Sequence, residues 1–219
     1  MAFKECDKMN FQQRSMKLTL ILPFSIEFVS PRVVRFKMNT GTIAKADEPS
    51  LMLVKEPNID KSWQYSAIKG GHQYKSAFGS VTITENPWGV EFRDASGKLL
   101  TKTRHQSDNK GFTQVLPFCF VRRAADYSRS VGAVFTLSPD EKIFGCGESF
   151  TPLNKYGQKV NLYTCDPNGV ETPGMYKPIP FFMSSKGYEK WLKRGINLCL
   201  ISMLKPNTAA KVVCLWCGL

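Results

Sequence analysis

The 219-residue chain has two histidines, His72 and His105. It has no run of about 20 apolar residues that could cross a bilayer as a helix. Helical periodicity is also scarce. Before residue 186 no stretch sustains apolar residues at i, i+3, i+4 and i+7, so helix-built architectures are not expected. Internal repeats and low-complexity segments are absent. Seven cysteines, an odd number without tight spacing over most of the chain, argue against a disulfide scaffold. Reduced thiols and a cytoplasmic location are expected. The short apolar stretch Lys17 to Phe24 lacks a small-residue cleavage site and reads as a buried strand, not as a targeting segment. What remains is ordinary for a globular chain: 42% hydrophobic and 22% charged residues, too apolar for a disordered one.

Acidic residues are also few, 18 against 30 Lys and Arg, for a formal net charge of +12. The excess is uneven. Lys186, Lys190, Lys193, Arg194, Lys205 and Lys211 face Glu189 alone after residue 185, and the same stretch holds Cys199, Cys214 and Cys217. A basic balance fits nucleic acid or anionic surfaces. However, the densest earlier pair, Arg122-Arg123, leads into no recognition motif, so scattered solubilising charge is expected and no nucleic-acid partner. Cys214-Leu215-Trp216-Cys217 is the sole CxxC, and a structural zinc site needs a second pair. No metal and no cofactor is expected.

The dominant period is two. Val34, Phe36 and Met38 alternate with Arg35 and Lys37, which puts apolar groups on one sheet face and cations on the other. Pro31 stands at the entrance, where a missing N–H does little harm. Val81 to Thr84 alternates and is β-branched throughout; Glu85-Asn86-Pro87-Trp88-Gly89 is turn chemistry. Val90 to Arg93 resumes the alternation, and Asp94-Ala95-Ser96-Gly97 turns again before Leu99-Leu100. These pieces predict an antiparallel meander. Val115 to Val121 and Val131 to Leu137 predict two further strands, while Tyr188 to Met203 suits a helix or a strand equally. The sum is an all-β, antiparallel sandwich.

From residue 138 the chain becomes distinctive. Gly145 and Gly147 in Phe144-Gly145-Cys146-Gly147-Glu148 predict a bulge or tight backbone packing. With no third glycine and no following helix, they make no dinucleotide fingerprint. Asp166-Pro167-Asn168-Gly169 is a loop tip by composition. As residues alone, Asp166 reads first as a turn cap and second as a ligand contact on a rigid scaffold, and Glu148 reads first as a structural partner.

In order, Phe144 to Glu148, Leu153-Asn154-Lys155-Tyr156-Gly157-Gln158, the Asp166 loop, and Tyr176-Lys177-Pro178-Ile179-Pro180-Phe181 with Ser184 to Tyr188 resemble the N-terminal β-sandwich domain of glycoside hydrolase family 31, the α-glucosidase and α-xylosidase family. Pro31 to Phe36, Phe78-Gly79-Ser80 and the meander from Val81 to Leu100 fit that domain more loosely, so the resemblance covers residues 17–188. It implies a galactose mutarotase-like fold, with residues 1–16 as an N-terminal extension and 189–219 as a divergent tail. Family members are retaining α-glycosidases, whose two catalytic carboxylates stand about 5–5.5 Å apart. Both would come from a barrel of about 250 residues that follows the sandwich. Trp63, Trp88, Trp191 and Trp216 do not open the family's Trp-x-Asp-Met-Asn-like nucleophile stretch, and Asp-Met-Asn is absent. No catalytic residue is therefore expected here, and the chain alone is expected to be inactive.

The resemblance further implies that Asp166 faces an α-linked oligosaccharide or glycoside substrate, with the barrel domain as the missing partner. The discrimination between xylose and glucose would lie in that barrel. After Gly187-Tyr188 the family continues with Gly and an apolar strand, whereas this chain has Glu189-Lys190-Trp191. The departure predicts a sandwich that is incomplete at its C-terminal end. Two alternatives stay open. One is an aldose-mutarotase-like protein, which needs His and Glu as acid and base and has only His72 and His105 to draw on. The other is a stand-alone carbohydrate-binding module stacking sugars on Trp63, Trp88 and Tyr65.

Overall fold

The computed structural model describes residues 9–11, 20–22, 24–38, 60–107, 114–122, 124–125, 129–166, 172, 174–191, 197–203 and 211–218. Among the described residues all regular structure is strand. β1 (Met9–Phe11) pairs with β2 (Leu20–Leu22), which falls inside the apolar stretch expected to be a strand. Lys17 to Thr19 and Pro23 of that stretch lie outside the described residues. β3 (Phe24–Ser30) and β4 (Val33–Met38) form a hairpin around Pro31 and Arg32, with Glu27 opposite Arg35.

The expected meander is there. β5 (Gln64–Ile68), β6 (Gly71–Ser76), β7 (Gly79–Glu85), β8 (Trp88–Asp94) and β9 (Leu99–Lys102) form one antiparallel sheet in chain order. Alternation does the work predicted for it. Val81 and Ile83 on β7 are buried, while Thr84 is exposed and Thr82 half-buried. These side chains pack with Phe28 and Val90 and with the half-buried rings of Trp63, Tyr74 and Phe92.

The second layer follows. β10 (Gln106–Ser107) pairs with β11 (Gln114–Val115), and β12 (Phe118–Arg122) pairs with β13 (Arg129–Leu137). The single strand expected over Val115 to Val121 is thus two strands. Pro117 has no N–H for a ladder, and its carbonyl instead accepts from Val134 N at 3.0 Å. β14 (Ile143–Gly147), β16 (Pro178–Ser184) and β17 (Glu189–Trp191) make a three-stranded sheet, and β15 (Lys159–Leu162) joins the second large sheet. That sheet runs β12, β13, β19 (Lys211–Gly218), β18 (Asn197–Met203), β15, and every neighbouring pair in it is antiparallel. Residues 189–191 and 197–203 are therefore strands, which resolves the helix-or-strand ambiguity there, and Cys214 to Cys217 lie within β19.

Phe118, Phe135, Leu137, Ile143, Val160, Leu162, Met175 and Phe182 form the core beneath this layer. Ile26, Phe36, Trp88 and Phe92 pack against both cores and join the layers into one antiparallel sandwich. Trp88 lies edge-on to Phe118 with centroids 5.4 Å apart, and Trp63 donates its Nε1–H to Ser30 O at 3.0 Å. Both tryptophans turn inward, as amphipathic rings in a sandwich usually do. Tyr65 alone of the three suggested stacking rings is exposed.

Candidate functional site

The glycine pair at 145 and 147 shapes the strand that leads into the site. The register between β14 and β16 shifts between Gly145 and Gly147, so a bulge stands where one was expected. Gly147 has φ +94°, and a Cβ there would lie 2.2 Å from Lys177 O. Only glycine meets both demands. Cys146 between them is itself left-handed, at φ 71°. The bulge turns the chain toward the segment before β16, where Glu148 N donates to Lys177 O at 3.4 Å.

Below the bulge, the Leu153-to-Gln158 stretch is scaffold. Asn154 Oδ1 accepts from Ile143 N and Tyr156 N, both at 3.1 Å, and Gln158 Nε2 donates to Asn154 O at 2.6 Å. Lys155 is buried at 4% exposure, and its ammonium donates to Thr151 Oγ1 at 2.6 Å and Ser149 Oγ at 3.1 Å. Burial holds its pKa below the usual lysine value. The Cys146 thiol, also buried, is pushed up to about 11 by desolvation, against a smaller opposing pull from the Lys155 charge. A thiol so placed stays protonated and is no nucleophile.

Asp166 ends the segment that leaves β15. Thr164 bridges to Met175 in parallel, and Cys165 N donates to Met175 O at 3.1 Å. Met175 is buried at 2% exposure, so this clamp is tied to the core. It brings Tyr176 beside Asp166, and the phenol donates to Asp166 Oδ1 at 2.5 Å. That bond, with a smaller contribution from burial, raises the Tyr176 pKa. Pro167, Asn168 and Gly169 of the same loop lie outside the described residues.

A cleft of about 380 Å³ opens here, lined by Glu148, Phe150, Gly174, Met175, Tyr176 and Lys177. It presents rings, a carboxylate, a phenol and an ammonium, with the Asp166 carboxylate held at its edge through Tyr176. Such a set can hydrogen-bond hydroxyls and stack on the apolar face of a sugar ring. Glu148, read from sequence first as a structural partner, is exposed on the wall, and among the described residues none donates to its carboxylate. Tyr176, Phe150 and Lys177 carried no assignment from sequence. The contact across ten residues depends on the clamp, although the exposed aromatic before β16 was visible in its motif.

The other candidates lie elsewhere. His72 is in β6, which begins at Gly71 after the turn at Gly70. Its Nδ1 shares a hydrogen bond with Tyr65 OH at 2.9 Å, and its Nε2 lies 3.3 Å from Glu85 Oε1. His105 is exposed between β9 and β10. Arg122 ends β12, and Arg123 is outside the described residues. Among the described residues no three His, Cys, Asp or Glu side chains gather as a metal site would require.

Comparison with known proteins points one way. The profile of the glycosyl hydrolase 31 N-terminal galactose mutarotase-like domain matches residues 23–191. An alpha-xylosidase of Emericella nidulans is 46% identical over 56 residues, which is 26% of this chain and 7% of that protein. Alpha-xylosidase XylQ of Lactiplantibacillus pentosus is 49% identical over 53 residues, 24% of this chain and 7% of that protein. Among solved structures, the GH31 dextranase of Flavobacterium johnsoniae in complex with glucose superposes with a TM-score of 0.68 at 18% identity, over 90% of this chain and 22% of the dextranase. The chain thus spans a small fraction of the proteins it matches.

Proposed function

Since the chain belongs to the glycosyl hydrolase 31 N-terminal galactose mutarotase-like domain family, we propose that it serves as the N-terminal β-sandwich of a retaining α-glycosidase, an α-xylosidase or α-glucosidase. In this role its Asp166 loop contacts the sugar while a separate barrel performs the cleavage. The observation that carries the reading is the Asp166 carboxylate, hydrogen-bonded to Tyr176 at the edge of a cleft whose wall includes Phe150 and Glu148. A carboxylate accepts hydrogen bonds from two neighbouring hydroxyls, and a ring beside it takes the apolar face of the pyranose. The reading draws further support from the sugar-bound relative, a dextranase holding glucose.

The partner barrel has a surface to meet. Phe150, Leu153, Tyr163, Tyr176, Ile179 and Met183 are all exposed by 45% or more, and Phe150 and Tyr176 among them line the cleft. Exposed large apolar side chains of this kind fit an interaction surface. The chemistry of the retaining reaction needs a nucleophile and an acid/base about 5–5.5 Å apart, both supplied from the barrel under this reading.

The test is a titration of the chain with methyl α-xyloside and isomaltotriose, followed by amide chemical shifts. Saturable shifts at Phe150, Asp166 and Tyr176 that vanish in Asp166→Ala are expected. The chain alone is expected to leave p-nitrophenyl α-xyloside intact. Hydrolysis by the purified chain, or shifts that survive Asp166→Ala unchanged, would overturn the reading.

A further inference from the structure

An exposed carboxylate on a loop samples several rotamers, and a ligand that needs one of them loses affinity in selecting it. Asp166 is exposed, and among the described residues its partner is the Tyr176 phenol. The backbone beneath that phenol is pinned on three sides. Met175 is anchored in the core, Met175 O takes the Cys165 N–H, and Lys177 O takes the Glu148 N–H from the bulge. The backbone that carries the phenol is therefore fixed relative to the core, and the hydrogen bond ties Asp166 Oδ1 to it. Hydrogen bonding to the carboxylate raises the phenol's pKa, so Tyr176 stays a donor to higher pH than a free phenol would.

We propose that Tyr176 is a positioning residue. Its hydroxyl occupies Asp166 Oδ1 and turns Oδ2 toward the cleft as a preset acceptor for a pyranose hydroxyl. This rests on the reading of Asp166 as a sugar contact. Tyr176 itself acts through Asp166, and its ring only lines the cleft.

Four chains decide the matter: native, Tyr176→Phe, Asp166→Ala and the double variant, each titrated with methyl α-xyloside and methyl α-glucoside. Tyr176→Phe keeps the ring and removes one hydroxyl. It is expected to weaken binding about three- to tenfold, the scale of ordering one side chain on binding. In the Asp166→Ala background the same change is expected to do nothing, because a residue acting through Asp166 has nothing left to act on. A second measurement needs no sugar. The Asp166 Hα–Hβ couplings are expected to report one χ1 rotamer in the native chain and an average in Tyr176→Phe.

An equal loss in both backgrounds would mean that Tyr176 touches the sugar directly, and would overturn the positioning role. A single retained rotamer in Tyr176→Phe would overturn it as well, while a loss in Asp166→Ala would leave the sugar reading standing. If Asp166→Ala binds as well as native, or if the native chain shows no saturable shift, the sugar reading itself fails and takes this inference with it.

Discussion

The core under the meander and the core under the second layer are assembled from different materials. In the first, Phe28, Val81, Ile83 and Val90 are the buried residues, and the half-buried side chains packed on them are apolar or aromatic. The second has more apolar residues, yet Glu141 and Lys155 are buried beside it at 3% and 4% exposure. Glu141 Oε1 accepts from Ser184 Oγ and Tyr188 OH, both at 2.5 Å, and its Oε2 accepts from Ser138 N at 2.9 Å. Lys190 brings its ammonium 3.1 Å from the Phe135 ring centroid and 5.2 Å from that of Tyr188. A core of alternating β-branched residues is stabilised in many small, interchangeable increments. A core threaded by buried charges stands or falls with a few groups, because each must keep its partners.

The largest effect expected from this difference is at Glu141. Glu141→Ala strands the Ser184 and Tyr188 hydroxyls and the Ser138 N–H, and removes the negative charge that favours protonated Lys190. Losing one member of such a buried set costs about 3–5 kcal/mol. Urea unfolding with an unchanged m-value would read the loss as a lower midpoint. A midpoint close to native would show that the buried network is dispensable and the contrast between the cores only apparent.

Gly147→Ala comes next. The left-handed backbone and a Cβ placed 2.2 Å from Lys177 O together predict a loss of about 2 kcal/mol or more. The damage is local to the bulge, so the Tyr176 and Asp166 resonances are expected to shift more than those of β7. In the apolar core, Ile83→Val removes one buried methylene and is expected to cost about 1 kcal/mol, with no change in the cleft. A larger cost there than at Gly147 would reverse the ranking.

The same contrast explains what could be read in advance. The meander was legible because period two both makes a strand and chooses its buried face, as Val81 and Ile83 against Thr82 and Thr84 demonstrate. The bulge was legible from Gly145 and Gly147, since few other roles require two such glycines one residue apart. The break at Pro117 was hidden by the apolar residues on both sides of it, although proline's missing N–H was in plain sight. The Glu141 network could not be seen, because its members at 138, 141, 184, 188 and 190 follow no period and meet only after β14 and β16 pair. Tyr176 and Asp166 likewise meet only through the Thr164–Met175 bridge. Periodicity reports on faces of single elements; sites made where several elements converge leave no periodic trace.

The smallest effect at neutral pH, and the sharpest test of the comparison, belongs to Lys190. Desolvation is the main cause that holds its pKa well below 10.5, with the Glu141 charge pulling the other way. A lysine depressed in the folded state binds fewer protons there than in the unfolded chain. Stability must therefore rise with pH from the depressed value up to about 10.5 and fall as pH drops through it. Lys190→Met keeps the unbranched apolar stem, removes the titration and leaves Glu141 its three hydrogen-bond donors. A change of the order of 1 kcal/mol in favour of the variant is expected at pH 7, since on folding the native lysine must either desolvate its charge or give up its proton, and the variant does neither. The gap between the two chains should narrow steadily as pH rises toward 10.5, and it is read up to pH 9. Above that the comparison is confounded by Cys146, whose thiol titrates near 9.0 when unfolded and only at about 11 when folded, so stability falls with pH in both chains. Unfolding midpoints at pH 6, 7, 8 and 9 check this. Parallel curves for native and Lys190→Met would mean that the ammonium is solvated after all, and that the second core differs from the first in Glu141 and Lys155 alone.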